Sequence, residues 1–168
     1  MKKLNLDTKI TVCSYEELSP EEKILIDRAK EASNHSYAPY SRFQVGAAAL
    51  LNNGEIIQGN NQENAAYPSG LCAERVTLFF ANANYPDIPV KMLALAAQTG
   101  GSYTSGQVAP CGACRQVILE TENRFNQPIR ILMYGKDDIY IVDSDGNKKA
   151  ELASIFVQDG KDIQLTID

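Results

Sequence analysis

The chain has 168 residues, with 16 Lys and Arg against 21 Asp and Glu for a net charge of −5, and 44% of its residues are hydrophobic. Such a length suits one domain that buries roughly 68–70% of its unfolded surface without a disulfide scaffold or an obligatory metal, and the near-average composition excludes a disordered, collagenous or coiled-coil chain. An acidic balance with no Lys/Arg cluster gives no electrostatic footprint for a phosphate backbone, so DNA and RNA polymers are excluded as expected partners.

Met1-Lys2-Lys3-Leu4 has the basic start of a signal peptide, but Asn5, Asp7 and Lys9 stand where its apolar segment belongs, so a cytoplasmic protein is expected. Ile10 and Val12 alternate with polar neighbours as a short strand would. Ser19-Pro20-Glu21-Glu22 then combines a capping hydroxyl, a proline at the first helical position and a carboxylate three residues after the cap. Ile24, Leu25, Ala29 and Ala32 recur at helical spacing, which carries the helix to about Asn34. His35 to Arg42, around Pro39, reads as a loop. Phe43 to Leu51 is a strand, Asn53-Gly54 a hairpin turn and Glu55 to Gln58 the returning strand. Asn60 to Gly70 is a second loop.

From Leu71 a helical pattern runs through Val76, Leu78, Phe79 and Phe80 and stops before Pro86. Val90 to Gln98 is almost wholly apolar, as a strand buried on both faces is, yet it and Val45–Leu51 are far shorter than the roughly 20 residues that span a bilayer, so no membrane partner is expected. Thr99 to Gln107 is a Gly/Ser/Thr loop, and Pro110 opens a helix containing Val117, Ile118 and Leu119. Ile129 to Tyr134 and Ile139 to Val142 are strands, Asp145-Gly146 a turn, and Glu151 to Val157 a short helix. Helices interleaved with strands in this order point to a layered α/β sandwich around one mixed sheet.

Four cysteines are too few for a disulfide framework. Cys111 and Cys114 are spaced so that one helical turn can present both thiolates to one metal ion, and Cys72, at the start of another predicted helix, is the natural third ligand. Three protein ligands on zinc leave the fourth position to water, the layout of a catalytic site. Glu74, two residues from Cys72, then has a use: its carboxylate can reach that water without ligating the metal. The alternatives are a redox Cys-x-x-Cys, which gives Cys72-Ala73-Glu74 no role, and a closed structural site, which needs a fourth ligand such as Cys13. Cys13 is expected to be a small buried hydrophobe instead, and His35, near a helix end, a surface or dipole residue rather than a ligand.

Across Tyr37 to Gln116 the segments SYAPYSRFQVGAA, NQENAAYPSGLCAER and APCGACRQV occur in order, and in them the chain resembles the small tetrameric cytidine deaminases. The zinc-deaminase pattern of three cysteines, a non-ligand Glu and Pro-Cys-x-x-Cys is a general one. The resemblance implies a three-layer α-β-α sandwich with a central mixed five-stranded sheet and a single deaminase domain over residues 1–168, with motif core about 35–135, N-terminal extension 1–18 and C-terminal tail 158–168. It implies one Zn2+ per subunit on Cys72, Cys111 and Cys114, with Glu74 as the proton shuttle that turns cytidine or deoxycytidine into uridine or deoxyuridine and ammonia. Phe43 matches an aromatic residue beside the nucleoside, although core packing explains it as well. Asn61 and Glu63 match the pair that hydrogen-bonds the ribose, and Ala73 and Cys111 offer backbone groups near the base.

Three thiolates on a divalent ion leave the site at net −1, which weakens it as a Lewis acid. The helix N-termini offset this, and Arg75 matches the family's arginine that hydrogen-bonds the ligand sulfurs. A homotetramer of nucleoside salvage in the cytoplasm is implied, in which an aromatic residue from a neighbouring subunit reaches the base. Phe156 is the candidate for it, within a C-terminal segment that matches the family only loosely. Ala109 stands where the family usually has Ser. The rival substrates are other amino-heterocycles such as blasticidin S, and the rival class is a non-catalytic zinc module, which has no use for Glu74.

Overall fold

The computed structural model describes residues 9–143. In chain order it has β1 (Ile10–Cys13), a 3-10 turn at Tyr15–Glu17, α1 (Pro20–Ser33), β2 (Phe43–Leu51), β3 (Ile56–Asn60), a 3-10 turn at Tyr67–Ser69, α2 (Ala73–Asn84), β4 (Val90–Thr99), β5 (Ser102–Tyr103), α3 (Gly112–Phe125), β6 (Arg130–Tyr134) and β7 (Ile139–Val142).

The strands form one sheet in the order β1-β7-β6-β4-β2-β3, with β5 paired to β4. Among the strand pairs of the described residues, only β4 and β6 run parallel. A parallel pair needs a long crossover, and α3 lies within this one. Alternation in the two central strands divides the core. Ala47, Ala49 and Leu51 of β2 and Leu93 and Leu95 of β4 pack with Leu78 and Ala81 of α2 and Ile118 of α3. Ala48 and Leu50 with Met92, Ala94 and Ala96 pack against Leu25, Ile26 and Ala29 of α1. The result is the expected α-β-α sandwich, with α1 on one face and α2 and α3 on the other.

Among the described residues the sheet has seven strands where five were expected. β1 adds an edge by pairing Ile10–Cys13 with Ile139–Val142. β5 folds back on β4 through Gly100 and Gly101, both at positive φ. Two further boundaries move. The third helix starts at Gly112 with Cys111 as its N-cap, so Pro110 precedes the helix instead of opening it. The segment 60–70 is also tied down, with Gln62 bridging both Tyr37 and Leu71. The Asp145-Gly146 turn, the helix at 151–157 and Phe156 lie outside the described residues.

Glycine sets how closely the layers approach. A Cβ on Gly46 of β2 would lie 2.0 Å from the Ala29 carbonyl oxygen of α1, and one on Gly59 of β3 would lie 2.4 Å from Thr77 Oγ1 of α2. Both helices therefore rest on bare sheet backbone. The second contact seats the N-terminal turns of α2 beside β3 and the loop that follows it. Among the described residues no helix is long and apolar enough to cross a membrane.

Candidate metal centre and active site

Cys72 caps α2 and Cys111 caps α3, both with extended backbone, and neither sulfur is used in a capping hydrogen bond. Because both helices lie on the same face of the sheet, their N-termini meet there. Cys72 Sγ lies 3.8 Å from Cys111 Sγ, which lies 3.5 Å from Cys114 Sγ. All three sulfurs fall within 4.8 Å of one another. A tetrahedral zinc ion ~2.3 Å from each sulfur requires sulfurs about 3.8 Å apart, so the donor set fits that ion in type and spacing.

Without a cation the three thiols cannot all ionise. Cys72 is held low, at about 5, by hydrogen bonding with Cys114 and then by Arg75, against the opposing effect of burial. Cys114 is pushed up by the same contact with Cys72 and by burial. One thiolate thus suppresses its neighbour, and a divalent ion removes the conflict with release of protons. Cys13 lies outside the cluster. It is half-buried at the end of β1 beside the core of the opposite face, where burial raises its thiol. His35 is exposed just beyond α1 and takes no part.

Glu74, in the first turn of α2, is 5% exposed. Burial raises its carboxyl to about 7, opposed by its own backbone N–H and by the nearby Cys114 thiol. The carboxyl therefore lies near the buried member of the sulfur cluster. Ala73 is fully buried, and its carbonyl accepts from Thr77 Oγ1 at 2.9 Å. Arg75 donates through Nη2 to Cys72 Sγ at 3.7 Å.

A pocket of about 470 Å³ runs from Cys72 and Arg75 to the loop after β3, with Tyr40, Asn61, Glu63 and Tyr67 on its walls. Glu63 accepts from the Tyr40 and Ser41 N–H groups at 2.9 and 3.3 Å. The Ser41 hydroxyl and the Tyr40 N–H hold its carboxyl below the ordinary value. Asn61 is tied to β2 at both ends, accepting from Val45 N–H at 2.8 Å and donating to the Phe43 carbonyl at 2.9 Å. Phe43 is half-buried at the start of β2. Asn61 thus has a structural task in addition to facing the pocket, and its second amide hydrogen and second lone pair remain for a ligand.

Sequence reasoning assigned no role to Arg115. It is 6% exposed, and its Nε–H donates to the Pro110 carbonyl at 2.8 Å. The available signal was an arginine early in each cysteine-capped helix, Arg75 three residues after Cys72 and Arg115 four residues after Cys111.

The chain matches the family model described as the cytidine and deoxycytidylate deaminase zinc-binding region over residues 19–126. It is 46% identical over 98 residues to a cytidine deaminase of Halalkalibacterium halodurans, a match that covers 58% of this chain and 70% of that protein. To the cytidine deaminase of Mycobacterium tuberculosis it is 38% identical over 110 residues, covering 64% and 78%. The crystal structure of cytidine deaminase from Burkholderia pseudomallei aligns with a TM-score of 0.61 at 37% identity, covering 71% of this chain and 90% of that one. The family match takes in all three cysteines, Glu74 and well over half of the sequence, and the protein belongs to the cytidine and deoxycytidylate deaminase zinc-binding family.

Proposed function

We propose that the protein is a zinc-dependent cytidine deaminase that hydrolyses cytidine and deoxycytidine to uridine and deoxyuridine plus ammonia. The observation that carries this reading is a buried carboxylate, Glu74, beside a cluster of three cysteine sulfurs, one of which, Cys72, lines a pocket together with Asn61 and Glu63. Held by Cys72, Cys111 and Cys114, zinc supplies Lewis acidity that activates water at neutral pH.

The residues of the chain do the rest. Glu74 takes a proton from the attacking water, passes it to the pyrimidine ring nitrogen and assists the departure of ammonia. Asn61 and Glu63 hold the ribose hydroxyls at the pocket wall, and Phe43 lies beside the nucleoside. The Ala73 and Cys111 backbone groups, at two helix starts, face the base. Arg75 withdraws negative charge from Cys72 and keeps the metal electrophilic.

The chain is proposed to form a single deaminase domain that assembles as a homotetramer. Support comes from α2, which presents Phe79 and Phe80 at 47% and 54% exposure about two turns beyond the cysteine that caps it. Phe156 is proposed to reach a neighbouring subunit's base. Thiols that must stay reduced to bind metal suit the cytoplasm, and the reaction suits pyrimidine salvage.

The test is an ultraviolet assay on cytidine with and without chelator, repeated with Glu74→Gln. The expected result is activity that chelation abolishes and that Glu74→Gln removes with zinc still bound. An undiminished Glu74→Gln enzyme would overturn the mechanism. Activity indifferent to the ribose hydroxyls would redirect the substrate to another amino-heterocycle.

A further inference from the structure

Arg115 is the fourth residue of α3, a helix end whose partial charge is already positive. A guanidinium buried there is doubly disfavoured, by desolvation and by the helix dipole, and needs compensation in the fold. Part of that compensation is a side-chain hydrogen bond: its Nε–H donates to the Pro110 carbonyl at 2.8 Å. The next carbonyl, that of Cys111, is held by the ordinary helical bond from the Arg115 backbone N–H at 2.9 Å. The two carbonyls that flank the backbone torsions of Cys111 are thus both held, the first of them by the guanidinium. Burial lowers the basicity of the guanidinium, while the neighbouring Cys111 and Cys114 raise it, which locates the charge beside that sulfur pair.

Cys111 is the exposed member of the three cysteines, whereas Cys114 is buried and Cys72 half-buried. It is the ligand whose aim least depends on packing. Pro110 has no N–H to anchor the approach to α3, so its carbonyl is the peptide group available for the purpose. On the α2 side the corresponding task falls to Arg75, which reaches Cys72 directly.

We propose that Arg115 is a positioning residue for metal retention: by fixing the Pro110 carbonyl, with its guanidinium beside the Cys111–Cys114 pair, it aims the exposed thiolate and slows loss of the ion. The inference rests on the reading that these cysteines hold zinc. Lysine is no substitute, because it has a methylene where Arg115 has Nε and so cannot bond the Pro110 carbonyl from the same place.

The test follows transfer of zinc from the full-length holoprotein to a chromophoric chelator, alongside thermal melts with and without zinc, for the wild type, Arg115→Lys and Arg115→Met. The expected wild-type result is one zinc per chain released slowly. Both variants release it ~10–100-fold faster, the range for partners that orient metal ligands. The difference between their zinc-loaded and zinc-free melting temperatures also narrows, and zinc retention falls by a larger factor than turnover per bound zinc. A purely structural role would instead lower both melts equally and leave the release rate unchanged, which would overturn the proposal. If Arg115→Met fails to fold, a wild-type release rate in Arg115→Lys overturns it equally. A wild type that binds no zinc overturns the three-cysteine reading itself.

Discussion

Two arginines stand beside the three sulfurs, and their contacts separate their tasks. Arg75 touches a ligand sulfur, so Arg75→Ala should lower turnover more than zinc content, by roughly 10–100-fold in kcat. Metal analysis beside steady-state kinetics checks this, and wild-type turnover at full zinc would remove the role. Glu63 faces the pocket with a carboxylate kept ionised by the Ser41 hydroxyl and the Tyr40 N–H. Glu63→Gln keeps the size but weakens acceptance, so KM for cytidine should rise by about 10-fold or more, the loss of a charge-assisted hydrogen bond of about 1.5–3 kcal/mol. Asn61→Ala should do more harm than loss of ribose contacts alone, because it also frees Val45 N–H and the Phe43 carbonyl at the start of β2. That double duty could not be read from the sequence. The motif placed Asn61 at the ribose, but the bonds to β2 cross a separation of 16 to 18 residues that no local pattern encodes. Arg115 was missed for a related reason: its Nε–H bonds a backbone carbonyl, and backbone groups leave no letter in the sequence.

At the scale of elements, legibility followed how local the cause was. The start of α1 was plain because cap, proline and acid lie within four letters; Ser19 Oγ accepts from Glu22 N–H, and Glu22 Oε2 accepts from Ser19 N–H at 2.8 Å. Ser19→Ala should cost about 1 kcal/mol, measurable by urea unfolding. β2 and β4 were legible because burial on both faces demands continuous apolar residues. β5 was not, since two residues carry no period. Its stability is tertiary: Lys30 Nζ lies 3.9 Å from the Tyr134 ring centroid, 4.7 Å from that of Tyr15 and 5.7 Å from that of Tyr103. This cage joins α1, the first 3-10 turn, β5 and β6 around the Lys30 side chain, which is 19% exposed. Lys30→Met keeps most of the apolar stem and removes the charge, and a loss of about 1–2 kcal/mol is expected. An unchanged melting temperature would show that packing alone holds β5.

For the whole molecule, the ion pairs and rings set a pH window. The second Glu22 carboxylate oxygen accepts from Arg130 Nε at 2.9 Å. Burial raises Glu22, but the Ser19 and Arg130 hydrogen bonds outweigh it and leave it below its ordinary 4.5. A carboxyl lowered by folding stabilises the native state above its unfolded value and loses that contribution as pH falls through the folded one. Stability should therefore decline below about pH 4.5, and Glu22→Gln should flatten the acid limb. Tyr15 behaves oppositely: burial and its hydrogen bond to Asp27 push it up from 10 to about 12. The folded state retains a proton that the unfolded chain has lost, so stability falls as pH rises from 10 to 12. Tyr15→Phe should weaken that alkaline decline. Melting curves from pH 3 to 12 test both limbs.

Cys72 and Cys111 cap different helices and lie 39 residues apart in the chain. Only Cys111 and Cys114 share a helical turn, so an unfolded chain offers an ion at best a two-sulfur grip. The third sulfur arrives when α2 and α3 have both settled on the sheet. Tight metal capture is therefore a late event in folding, and a nascent chain competing with cellular zinc buffers acquires its ion in proportion to how far its architecture is complete. Substitutions that loosen the seat of α2, such as Gly59→Ala against Thr77, should then appear first as under-metallation and only afterwards as unfolding.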